Sequence, residues 1–173
     1  EDTELPRRFG SGGKTSLISI EEGVGKMKAA VAGRSDPSLV IAARTSAISV
    51  TGINDTIARI TAYQESGVDA IFLIGIKQKQ QIEAITNECK LPLFLGGAGA
   101  DIMDLDYLAS KGVSLCLQGH QPVMAAMQAT YEALKALREG AQPSDLNKRF
   151  DKNLINQWSK VDFYDQWMQE FLE

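Results

Sequence analysis

The sequence predicts an α/β fold organised on a parallel sheet, and two observations carry that expectation. Apolar runs alternate with amphipathic helical stretches at a spacing of about 22 to 30 residues, the signature of βα units. The runs are almost continuously apolar, as strands covered on both faces require. A third observation refines the class: Glu1, Arg44 and His120 all stand at the C-terminal ends of predicted strands. A doubly wound sheet accommodates the first two observations. The third favours a (β/α)8 barrel, whose chemistry gathers at that rim. Four strands and the end of another make the C-terminal half of such a barrel, followed by C-terminal helices.

In order along the chain, Glu1 is expected to end a strand, with no Met and nothing apolar before it, so an earlier portion of the barrel is expected to precede it. Residues 3–17 are rich in Gly and basic side chains and form a loop of functional length, a candidate lid. Ser19 is placed to cap the helix "IEEGVGKMKAAVAG" (20–33), with Glu22 three residues on to complete a capping box. The strand "SLVIAART" (38–45) leads to the helix "NDTIARITAYQES" (54–66), which Asn54 would start and Gly67 would follow. "DAIFLIG" (69–75) leads to "QKQQIEAITNEC" (78–89), and "LPLFLGG" (91–97) to "DIMDLDYLASK" (101–111), with Asp101 as its starter. "VSLCLQG" (113–119) closes the set and leads to "PVMAAMQATYEALKAL" (122–137). The barrel portion is therefore taken as 1–140, and 141–173 as a linker with an aromatic-rich helical tail.

Composition narrows the function. With 18 basic and 22 acidic groups and no long basic run, nucleic acid is excluded as a partner. No apolar stretch reaches the roughly 18 residues of a membrane span. Cys89 and Cys116 are too few and too far apart for a zinc site or a disulfide framework, which suits a reducing, cytoplasmic setting.

Two motifs fail on spacing. "RFGSGGKTS" carries the Gly-Lys-Thr tail of a phosphate loop at Gly13, Lys14 and Thr15, but Arg8 occupies the position of its first glycine. "GGAGAD" (96–101) begins like a dinucleotide fingerprint, yet Ile102 stands where the third glycine belongs. Its small residues, Gly96 among them, still allow a ligand to approach the backbone. Arg44 is the stronger candidate. A guanidinium at the end of a buried strand needs an anion, either an acidic neighbour or a ligand carboxylate or phosphate that its planar fork matches. His120, the one histidine, is placed at the same rim.

The opening "EDTELP", the strand "IAARTSA", "GVDAIFLIG", "LPLFLGG" and the closing "GVSLCLQGH…ATYEAL" resemble the isocitrate lyase/phosphoenolpyruvate mutase superfamily, from residue 1 to about residue 140. The resemblance implies a Mg2+-dependent (β/α)8 barrel acting on small 2-oxo acids through enolate-like intermediates, entered at the end of its fourth strand, with the Asp-rich magnesium motif upstream of Glu1. The lyases of that superfamily carry a Lys-Lys-Cys-Gly-His lid and a glutamate after the sixth strand. Here the lid lacks Cys and His, and Gly75 stands after that strand. The mutases and phosphonopyruvate hydrolases carry a lid asparagine and a histidine at the sixth strand, both absent. The oxaloacetate-decarboxylating branch, with a non-catalytic lid, a small residue after the sixth strand and Gly-His after the eighth, matches Gly75, Gly119 and His120. The match has two gaps: Ala98 stands where the decarboxylating branch places an aromatic residue after strand seven, and Ser46 replaces the acid common after "ART" in other branches.

By that resemblance Glu1 assists Mg2+ through water, Arg44 holds the C1 carboxylate, and Gly75 and Gly96 line the substrate. His120 lies beside the departing carboxylate or delivers a proton. A methylisocitrate-type lyase, a phosphonopyruvate hydrolase or mutase, and a non-catalytic half barrel acting as a structural partner remain alternatives. Trp158, Phe163, Tyr164, Trp167 and Phe171 fall within fourteen positions of the tail, an apolar face that needs a partner. The resemblance implies a homo-oligomer, a dimer of dimers with exchanged C-terminal helices.

Overall fold

The computed structural model describes residues 1–6 and 13–172. Its sheet has four parallel strands, β1 (Ala42–Thr45), β2 (Ala70–Leu73), β3 (Leu93–Leu95) and β4 (Val113–Cys116), in the order β1-β2-β3-β4. A doubly wound sheet reverses its order at a switch point, whereas a barrel adds each strand beside the last. The sequential order therefore makes this sheet four consecutive strands of a (β/α)8 barrel, as expected. Every expected strand is present but shorter than its apolar run. The flanking residues of each run belong to the connections.

The chain falls into two units, Glu1–Gly119 and His120–Glu173. In the first, α1 (Ile20–Ala32) precedes the sheet, and Ser19 caps it by accepting the Glu22 N–H at 3.1 Å. That forms the first half of the expected capping box. After β1 comes a short helix the sequence did not announce, α2 (Ala47–Val50), and then α3 (Ile53–Gln64). Gly52 occupies the N-cap of α3, so Asn54 lies inside the helix rather than starting it. α4 (Lys79–Glu88) follows β2. α5 (Leu105–Ser110) follows β3 after a turn of 3-10 helix at Ala100–Ile102. Asp101 belongs to that turn, and Asp104 caps α5 through the Tyr107 N–H. Two acids compete for one helix start, and the nearer to the apolar residues Leu105 and Leu108 wins.

The core lies between the sheet and its helices. Ile71, Leu73, Leu93 and Leu95 on the strands meet Ile60, Ile82 and Ile85 from α3 and α4, and all are at most 2% exposed. Each such burial contributes about 1.5–3 kcal/mol relative to exposure. α3 is the central helix of this layer, in contact with α1, α2, α4, β1 and β2.

The second unit opens with α6 (Gln121–Arg138), whose N-cap is His120 and whose first turn holds Pro122. Pro is tolerated there because the N–H it lacks has no helical partner anyway. Residue 140, the expected border of the barrel portion, is the glycine just after α6. A 3-10 segment at Pro143–Arg149 leads to α7 (Lys152–Trp158) and α8 (Val161–Leu172). The helical tail is thus two helices, parted at Lys160, where φ is 54°. No described helix is long and apolar enough to cross a membrane.

One close approach shapes the first unit. A Cβ on Gly23 would fall inside the contact distance of the Tyr63 phenol oxygen, with the ring carbon Cε1 at 2.8 Å. Tyr63 is fully buried and cannot swing away. Gly25, two residues on and on the far side of the helix, faces open space. Gly23→Ala is therefore expected to destabilise by about 1–3 kcal/mol through overpacking, outweighing its gain in helix propensity. Gly25→Ala is expected to stabilise by up to about 1 kcal/mol. Thermal denaturation of the two variants should move in opposite directions, and equal shifts would refute the close contact.

Candidate functional site

Side chains alternate across a strand, so each strand has one face toward the helices and one away. On β1 the residues Ala43 and Thr45 are buried, while Arg44 points the other way and is half-buried. The register aligns Arg44 with Phe72, Phe72 with Phe94, and Phe94 with Leu115. These four form a row on the sheet face that no helix of the first unit covers, at the C-terminal ends of the strands. In a barrel this is the inner face at the catalytic rim.

Arg44 donates from Nη1 to Glu1 Oε2 at 2.7 Å. Its guanidinium carbon stands 5.6 Å from the Phe72 ring centroid, within cation–π range. The side chains are 39% and 35% exposed, so this is a front-facing pair that water and ligands can reach. Arg44 Nε is buried with no hydrogen-bond partner among the described residues. The guanidinium therefore has donors to spare for an anion that would compete with Glu1.

Behind this pair lies a second charged group that the sequence reading missed. Asp2 is fully buried, and its Oδ2 accepts from Arg59 Nη1 at 3.1 Å and from the Tyr63 hydroxyl at 2.9 Å. Arg59 Nη1 also donates to the Tyr63 oxygen at 3.2 Å, and Arg59 Nε donates to Asp55 Oδ2 at 2.8 Å. Burial opposes the charge of Arg59, but these hydrogen bonds and the Asp2 charge hold its pKa above the ordinary value. Burial, reinforced by Asp2, pushes the Tyr63 phenol up, so it remains a donor. The signal was present in the spacing: Asp55, Arg59 and Tyr63 fall four apart and share one face of α3. Their partner Asp2 lies 57 residues before Arg59, beyond any local pattern.

The Asp2 backbone ties three segments together. Its N–H donates to the Arg44 carbonyl at 3.2 Å, as a neighbouring strand would, and its carbonyl accepts from Ile18 at 3.0 Å. Glu4 N–H donates to the Ser16 carbonyl at 2.9 Å, and Thr3 bridges Leu17 in antiparallel fashion. The expected loop 3–17 thus has a paired stem, while its middle, residues 7–12, including Arg7 and Arg8, lies outside the described residues.

The other expected site residues are placed as follows. Gly75, with φ at 95°, abuts Ser49 beside α2, where a Cβ would approach the serine Cβ to 3.0 Å. Gly96 lies on the Phe72 side, where a Cβ would meet Ile74 Cδ1 and stand 3.4 Å from Phe72 Cε2. His120 opens the second unit as the exposed N-cap of α6, with no side-chain capping bond. A concavity of about 540 Å³ lies at the opposite rim, lined by Pro92, Lys111 and Ser114 among others. Conserving stability rather than chemistry is the usual task of that end of a barrel.

Among the described residues no three His, Cys, Asp or Glu side chains gather as a metal site. Glu1 is a hard oxygen donor of the kind Mg2+ takes, but one carboxylate already paired with Arg44 does not make a magnesium site. The described residues do not fit the ion by themselves.

Asp55 gives a pH prediction. Burial opposes its ionisation, but hydrogen bonds from Thr51 and Arg59 and the Arg59 charge outweigh it, so its pKa lies below the ordinary 3.8. A depressed carboxyl contributes stability that is present above the unfolded value and is lost as pH falls through the folded one. Asp55→Asn is expected to lower Tm at about pH 7 and to flatten the decline of Tm on acidification below 3.8. Melting curves of both proteins across that range check it, and parallel declines would count against it.

The comparisons with known proteins agree with this geometry. Residues 1–138 match the family model of phosphoenolpyruvate phosphomutase. An oxaloacetate decarboxylase of Bradyrhizobium diazoefficiens is 55% identical over 146 residues, covering 84% of this chain and 50% of the relative. One from Rhodopseudomonas palustris is 44% identical over 172 residues, covering 99% of this chain and 59% of the relative. The chain therefore spans little more than half the length of the curated relatives it matches. A crystal structure of phosphonopyruvate hydrolase with oxalate and Mg2+ superposes with a TM-score of 0.74 at 26% identity, covering 99% of this chain and 61% of that one. A phosphoenolpyruvate phosphomutase from Streptomyces platensis shares the fold, with a TM-score of 0.75 at 17% identity over 99% of this chain and 62% of that one. A sequential parallel sheet with Glu1 and Arg44 at its C-terminal rim, and a family match over 138 residues, together establish that the chain belongs to the phosphoenolpyruvate phosphomutase family.

Proposed function

We propose that this chain is the C-terminal part of a Mg2+-dependent carbon–carbon lyase that decarboxylates oxaloacetate to pyruvate. What supports the reading is Arg44: a half-exposed guanidinium at the C-terminal rim, stacked on Phe72, with an unused donor and, among the described residues, an exchangeable carboxylate as its ion-pair partner. The names of the relatives, oxaloacetate decarboxylase at 55% and 44% identity, support the substrate. Mg2+, when bound, supplies Lewis acidity that polarises a 2-oxo group. Its ligands would come mainly from a portion of the barrel outside these residues, with Glu1 assisting through water.

The chain's own residues then divide the work. Arg44 exchanges Glu1 for the C1 carboxylate of the substrate, and its planar fork fixes the orientation of the oxo acid. The carboxylate released from Arg44, that of Glu1, is freed to face the metal side. Gly75 and Gly96 keep the rim narrow in side chains. The bond that breaks is C3–C4: C4 leaves as CO2, the electron pair passes into a pyruvate enolate, and a proton returns to C3. The family resemblance assigns His120 to the departing carboxylate, as a positioning group. The protein works in the cytoplasm as a homo-oligomer. Its contact surface is the exposed aromatic row of α8, where Phe163, Trp167 and Phe171 stack at 4.4 and 6.5 Å.

The full-length protein with Mg2+ is expected to release pyruvate from oxaloacetate, and chelation should abolish the release. Arg44→Lys, which keeps the charge but loses the fork, is expected to lower kcat/KM by about 10- to 100-fold, chiefly through KM. His120→Gln should stay within about tenfold of the wild type, since glutamine can hydrogen-bond; a loss beyond about 100-fold would make His120 the proton donor instead. Turnover of methylisocitrate or phosphonopyruvate without turnover of oxaloacetate would sink the substrate assignment. Sedimentation of the protein should give an oligomeric mass that falls on Trp167→Ala with Phe171→Ala, and a monomeric wild type would end that part of the proposal.

A further inference from the structure

We infer that Asp2 is a positioning residue: its buried carboxylate, held by Arg59 and Tyr63, sets the place of the Glu1–Arg44 pair and of the stem of the loop that follows. The inference rests on reading Glu1 and Arg44 as the groups that face substrate and metal.

Three observations carry it. The first is burial. Asp2 is 0% exposed and Arg59 is 6% exposed, so neither can leave the other for water. A buried ion pair adds little net stability over apolar packing, but one left without its partner is strongly penalised. Such a pair therefore selects one arrangement of the chain rather than strengthening many. The second is alternation. Glu1 and Asp2 are consecutive in an extended segment, so pinning the Asp2 side chain against α3 turns the Glu1 side chain to the opposite side, where it meets Arg44.

The third is where the backbone bonds of Asp2 go. Its N–H holds the carbonyl of Arg44 itself, and its carbonyl holds Ile18, the residue that closes the loop stem. A single side chain thus registers three things at once: the strand beside β1, the rim residue Arg44, and the base of the loop 3–17. Tyr63 adds a fourth link, because the same phenol that donates to Asp2 rests against Gly23 of α1, the helix that the loop leads into. The position of the loop relative to Arg44 is thereby set from behind, by groups that never touch a substrate. A misplacement of about 1 Å in such a rim costs on the order of 100-fold in rate.

Two variants of the full-length protein test this. Tyr63→Phe removes one donor and leaves the Asp2–Arg59 ion pair, so it is the variant sure to fold. Asp2→Asn keeps the shape and removes the charge. Two readouts are taken: steady-state pyruvate release from oxaloacetate, and amide hydrogen exchange by mass spectrometry. Expected are a fall in kcat of about tenfold for Tyr63→Phe and about 100-fold for Asp2→Asn, with KM changing less than about threefold, because Arg44 is still present. Exchange should rise in peptides covering residues 1–5 and 13–19 while β2 and β3 stay protected. A merely structural brace would instead loosen all strands together and leave kcat of the folded fraction unchanged, and that result overturns the inference. If the wild type itself releases no pyruvate, the substrate reading fails, and the exchange pattern alone decides: a rise confined to the two segments supports the positioning role, and a uniform rise ends it.

Discussion

The pleat of the parallel strands is the constraint on which the rest depends. Because successive side chains take opposite faces, a strand end that buries Thr45 against the helices must send Arg44 to the other side. The same rule applied to the next strand over sends Asp2 toward α3 and Glu1 toward Arg44. Charge can then be kept on both faces of one sheet edge. One face is buried, with Asp2 paired through Oδ2 while its Oδ1 has no hydrogen-bond partner among the described residues, and the other is open.

The two ion pairs differ in energy for that reason. An exposed pair such as Glu1–Arg44 is worth about 0–1 kcal/mol and is weakened by salt, so a ligand carboxylate can replace one partner at small cost. The Asp2–Arg59 pair sits where separation would leave a buried charge unsatisfied, which costs about 3–5 kcal/mol. Arg59 is held twice, by Asp2 and by Asp55, and Tyr63 stays protonated and donating. The pair behind is therefore the fixed one and the pair in front the exchangeable one.

The same layer links packing to motion. α3 carries Arg59 and Tyr63 beside Ile60, and Tyr63 joins Ile60 in the core, so the charged group is built directly on the packed face of the helix. The stem of the loop between residues 3 and 17 is tied to that helix through Asp2, with Thr3 buried and Leu5 69% exposed. The second unit has the opposite character. Its aromatic residues on α7 and α8 are exposed, Trp158 at 67% and Phe171 at 68%.

Periodicity and residue type made much of this readable. Four βα units, a cap at Ser19, a parallel sheet and a half-buried arginine at the end of β1 all follow from short-range pattern, because local propensity and burial on both faces act within a few residues. Helix starts were less legible. Asn54 and Asp101 are good capping residues, yet Gly52 and Asp104 hold those places, since the choice among nearby candidates falls to packing of the first turn. The buried Asp2–Arg59–Tyr63 group was visible only as a spacing on α3. Sequence alone determined which residues could be strands, which helices, and that Arg44 needed an anion. Only the tertiary structure decided which carboxylate stands in front of Arg44 and which behind it, because that depends on a contact between positions 57 and 61 residues apart that burial, and not proximity in the chain, brings together.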